Sequence, residues 1–118
     1  MKLKTINPAN EEVIAEYDTM PREEVFAIAK ACNAAFRKWR DLYVSQRAPY
    51  FLRLAKVLRE NKGRFARLMT TEMGKPIKEA RAEVEKCAWT AEVFADKAED
   101  WLREETVEAD GKKHVVSY

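Results

Sequence analysis

Few residues in this chain could do chemistry. It holds two cysteines, Cys32 and Cys87, and one histidine, His114. A nucleophile needs a base within hydrogen-bond reach, and no Cys-His or Ser-His-Asp arrangement stands out to supply one. Neither cysteine belongs to a CxxC pair, so a structural zinc site has too few ligands. Cys32 falls within an apolar helical stripe and is read as a buried packing thiol. His114, in a β-favouring stretch beside a turn, is read as an exposed surface residue. Carboxylates are plentiful, and Glu79, Glu83 and Glu85 could be paired as general acid and base. They lie on the charged side of an amphipathic helix, for which a solvated face is the simpler account. Gly74-Lys75 lacks the upstream glycine and the following Ser or Thr of a phosphate loop. Arg37, Lys38 and Arg40 flank Trp39, but basic residues at a helix end complement its dipole, and nothing extends the patch toward nucleic acid. The residues themselves define no catalytic constellation and no cofactor-binding motif.

Composition narrows the classes. The chain has 118 residues, 47% hydrophobic and 36% charged, which suffices for one small domain with a modest core. Net charge is +2 with the two signs interleaved, unlike a basic nucleic-acid arm or an acidic tail. Gly and Pro are scarce, at 3 and 4 residues, so low-complexity disorder is excluded. No apolar run approaches the ~20 residues of a membrane span. Met1-Lys2-Leu3-Lys4 is not followed by the apolar core of a secretory signal. The expectation is a soluble, cytoplasmic chain.

The periodicities predict an α+β arrangement: an N-terminal β-hairpin, three amphipathic helices and a C-terminal β-hairpin. Lys4-Thr5-Ile6 and Val13 to Tyr17 are β-favouring stretches separated by a turn segment holding Asn7, Pro8 and Asn10. Thr19 or Met20 is the expected cap of a helix over 21–40, with Pro21 in its first turn. Its apolar stripe is Val25, Ile28, Ala29, Cys32, Ala35, Phe36 and Trp39. Ser45 is the expected cap of a second helix of about seven turns, softened at Gly63, with Pro49 near its first turn. Gly74-Lys75-Pro76 is a stop: glycine for the left-handed residue, proline against continuation. A third helix over 77–102 carries Ala80, Val84, Cys87, Ala88, Ala91, Phe94, Ala95, Ala98, Trp101 and Leu102 as its stripe. Small residues dominate it, which permits close approach of a neighbour. Its outer face, with Glu79, Glu83, Glu85 and Glu92, is expected to be solvated. Asp110-Gly111 between β-favouring stretches signals a hairpin turn. The last stretch, His114 to Tyr118, is β-like to the final residue, which reads as a chain cut within an element.

Several strings, taken together and in order, resemble the N-terminal region of the aldehyde dehydrogenase superfamily. They are Thr5-Ile6-Asn7-Pro8-Ala9 with Glu12-Val13-Ile14-Ala15, Ala34-Ala35-Phe36 with Trp39, Arg47-Ala48, and Leu52-Arg53-Leu54-Ala55 with Leu58. The most telling is Glu72-Met73-Gly74-Lys75-Pro76, followed by Glu79-Ala80 and Glu83-Val84. The Glu-Met-Gly-Lys-Pro form is similar to that of succinate-semialdehyde dehydrogenases. Glu11 stands where the family usually has a turn glycine, and Pro49 is atypical within the second helix.

The resemblance implies a part of an NAD(P)-dependent enzyme that oxidises an aldehyde, succinate semialdehyde by the subfamily form, to its carboxylic acid. Residues 1–102 would belong to the cofactor-binding domain of an α/β parent fold, and 103–118 would start the hairpin used in oligomerisation. The nucleophilic cysteine, general base and oxyanion-stabilising asparagine would all lie in later sequence, so no catalytic or cofactor-binding residue maps here. The remainder of the dehydrogenase chain is the expected partner, in a homo-oligomer with bound NAD or NADP. This segment alone is expected to be inactive and to bind neither cofactor. Some members of the family bind a monovalent cation through backbone carbonyls of the opening hairpin and a carboxylate of the third helix; Thr5, Ile6 and Glu83 match those positions, with a further ligand expected from sequence absent here. A different reading is a freestanding helical interaction module with a self-contained core of Trp39, Phe65, Phe94 and Trp101. The fragment reading instead expects a large uncovered apolar patch and an unpaired strand at His114 to Tyr118.

Overall fold

In a computed structural model, residues 2–117 are described; Met1 and Tyr118 lie outside them. Strands β1 (Lys2–Ile6) and β2 (Val13–Asp18) form the expected antiparallel hairpin, with a bulge between Thr5 and Ile6. Asn7 closes its turn by donating its N–H to the Glu12 carbonyl at 2.9 Å and accepting the Glu11 N–H at 2.8 Å. Glu11 takes the left-handed conformation at φ 60°, so the turn keeps a glycine-like geometry without glycine.

Helix α1 (Arg22–Arg40) starts one residue after Pro21, which itself occupies the N-cap position ahead of Thr19 and Met20. Where the sequence predicts one long helix, the structure has two, α2 (Val44–Glu60) and α3 (Lys62–Met73). The break is at Asn61, not Gly63. Asn61 leaves the helical region at φ −103° and ψ 12°. Its side-chain Nδ2 donates to the Val57 carbonyl at 2.9 Å, the local bond by which asparagine competes with a helix ladder. At the other end Tyr43, not Ser45, is the N-cap, its N–H donating to Gln46 Oε1 at 2.9 Å. Pro49 consequently sits in the second turn.

Gly74 ends α3 as expected, left-handed at φ 71°, and its N–H donates to Thr70 O at 3.0 Å. A Cβ here would lie 3.3 Å from Pro8 Cγ, so the first hairpin's turn rests against this cap. Pro76 then caps α4 (Ile77–Trp101). Strands β3 (Glu105–Ala109) and β4 (Lys112–Val116) pair through Asp110 and Gly111, both at positive φ, as a two-residue primed turn requires. The expectation of an unpaired last strand is corrected accordingly: β4 is hydrogen-bonded along one edge to β3, with Val107 opposite the exposed His114. The α+β composition therefore stands, with four helices and two hairpins among the described residues.

Packing centres on α4, against which both α2 and α3 lie. Its buried positions are Ala80, Val84, Ala88 and Ala91, one stripe at helical spacing, facing Ala55 of α2 and Ala66 of α3. Leu58 covers the Ala55, Ala88 and Ala91 cluster. Small side chains bring the helix axes together but leave little apolar volume between them.

Two expectations of burial fail. Cys32 and Cys87 are both exposed. Cys87 lies beside the alanine stripe, not in it, and α1 has no buried residue, although Trp39 near its end packs edge-to-face on Tyr50 of α2. The self-contained aromatic core of the interaction-module reading is also absent: Phe94 is 50% and Trp101 51% exposed.

The shape follows. The radius of gyration is 20.7 Å, against about 13–14 Å for a compact chain of this length. The accessible surface is 9972 Å², where a compact monomer of 13.7 kDa exposes about 6,600 Å². Much of the surplus is apolar: Val25, Phe26, Phe36, Leu52, Leu68 and Trp89 are among the exposed side chains. An excess of roughly 3,400 Å² far exceeds the ~800 Å² each partner contributes to an ordinary interface. The helices therefore form an open layer, not a compact body.

Candidate functional site

The best-organised polar group in the molecule joins the helices. Arg59, in the last turn of α2, donates from Nε to Glu85 Oε1 at 2.6 Å and from Nη2 to Glu92 Oε2 at 2.8 Å, and its Nη1 also binds Glu92. Lys62, just past the Asn61 break, reaches Glu85 Oε2 at 3.1 Å. Glu85 and Glu92 are two turns apart on α4, so one guanidinium can bridge them. Hydrogen bonds from Arg59 hold both carboxyls below their ordinary range, aided at Glu85 by Lys62; the Arg59 guanidinium is correspondingly raised, first by Glu92. The expected solvated outer face of α4 is thus corrected at Glu85 and Glu92, which clamp α2 and α3. Sequence reasoning passed over Arg59; the signal for it was the spacing of the two glutamates at seven residues.

Such a group can position helices but cannot run acid–base catalysis, because both carboxylates are committed to cations. Glu79, Glu83 and Glu85 are not brought together as an acid–base pair either. Glu83 pairs with Lys75, on the linker between α3 and α4. Glu85 goes to Arg59 and Lys62.

Of the proposed cation ligands, Thr5 and Ile6 flank the bulge in the first hairpin. A bulge re-aims the backbone carbonyls at its two positions. Thr5 Oγ1 is buried without a hydrogen-bond partner. Among the described residues Glu83 is paired with Lys75, and no hydrogen bond or ion pair links it to this hairpin. No three of His, Cys, Asp and Glu gather as a metal cluster among the described residues. Also among these residues, no helix is long and apolar enough to cross a membrane.

Among the described residues the helices present an open apolar surface flanked by two hairpins, and no reactive group is assembled on it. Residues 1–118 match the profile of the aldehyde dehydrogenase family, and the chain belongs to that family. It is similar to a probable NADP(+) succinate-semialdehyde dehydrogenase of Synechocystis, at 36% identity over all of this chain and 26% of the relative. It is 31% identical to the NAD(P)+ succinate semialdehyde dehydrogenase Sad of Escherichia coli, over 97% of this chain and 25% of the relative. In structure it is similar to a succinic semialdehyde dehydrogenase of Streptococcus pyogenes crystallised with NADP+, with a TM-score of 0.87 and 30% identity over 95% of this chain and 25% of the other. The chain thus spans about a quarter of the length of the relatives it matches.

Proposed function

We propose that this chain is the N-terminal part of an NAD(P)-dependent aldehyde dehydrogenase, with succinate semialdehyde as its substrate. The observation that carries this is the agreement of a family match along the whole chain with an accessible surface far above that of a compact monomer. Its role is scaffolding: residues 1–102 join the cofactor-binding domain, and 103–118 begin the oligomerisation hairpin. The rest of the dehydrogenase polypeptide covers α1 and the open faces of α2 and α4, in a homo-oligomer that uses NAD or NADP. A cytoplasmic location goes with this reading. The purified chain is expected to show no NAD(P)-linked oxidation of succinate semialdehyde, and turnover by a preparation free of other enzymes would contradict the scaffold role.

We propose with it a monovalent cation held by the Thr5 and Ile6 carbonyls and the Glu83 carboxylate. Hard oxygen donors suit such an ion, and the bulge at Thr5 and Ile6 with the unpartnered Thr5 hydroxyl supports it. The ion must displace Lys75 from Glu83. Raising potassium or sodium should therefore increase the melting temperature, more so in Lys75→Met and not in Glu83→Gln; equal responses in all three chains would remove the site.

A further inference from the structure

We draw no further inference here: the strongest candidate, the apolar groove beside the unpartnered Nε of Arg47, where the end of α1 and the start of α2 meet the end of α4, carries nothing because nothing in the structure shows what covers it.

Discussion

Arg59 and Glu92 meet as a fork on a carboxylate, both terminal nitrogens of the guanidinium engaging both oxygens, with Nη2 to Oε2 at 2.8 Å. The pair joins α2 to α4 two residues before the chain breaks at Asn61, and Lys62 takes up Glu85 just after it. The clamp thereby fixes the orientation of two helices whose shared apolar contact is mostly alanine.

The clamp gives the chain an acid dependence whose sign is fixed. Glu85 and Glu92 have folded-state pKa values below their ordinary ones. The unfolded chain therefore binds protons first as pH falls, and the contribution to stability is present above the ordinary carboxylate range and lost on acidification through the lowered values. Melting temperature followed by circular dichroism should fall as pH drops through that range, and the fall should be shallower in Arg59→Met. Since these groups are more than a third exposed, added salt should reduce the effect.

Ala88 is fully buried, and its neighbour Cys87 is exposed. Ala88→Leu should force α2 from α4 and cost about 1–3 kcal/mol, while Cys87→Leu should change stability by less than about 0.5 kcal/mol. Denaturant titration of the two variants checks the contrast.

The two thiols should also react at once with an aromatic disulfide reagent in the native chain. Reaction that waits for unfolding would restore the buried assignment of Cys32 that its helical stripe suggested.

Glycine positions give a pair of opposed outcomes. Gly63 has open space where a Cβ would go, so Gly63→Ala should stabilise α3 by about 0.5–1 kcal/mol. Gly74→Ala meets Pro8 at a left-handed φ and should destabilise. Glu11→Gly, at φ 60°, should stabilise the first hairpin by about 1 kcal/mol. Thermal melts and amide exchange of the hairpin residues read all three.

The elements that local chemistry dictates were legible in the sequence. Gly74-Lys75-Pro76 and Asp110-Gly111 constrain φ and hydrogen bonding within a few residues, and both stand in the structure as expected. The Asn61 break was not legible, because Gly63 gives the stronger propensity signal while the deciding bond is the reach of the Asn61 amide to the Val57 carbonyl. The Arg59 clamp and the unpartnered Arg47 Nε were hidden for a related reason. Each depends on which helix faces come together, which a single helix's periodicity does not reveal. Burial of Cys32 was over-read since an apolar stripe shows that a face needs cover, not that the cover lies in the same 118 residues.

Completion of this layer by further dehydrogenase polypeptide is decided by the coding DNA beyond the Tyr118 codon. An open frame that runs on into a glycine-rich nucleotide-binding region and a later nucleophilic cysteine is the expected result. A stop codon directly after Tyr118, with no such sequence in a neighbouring frame, would contradict it.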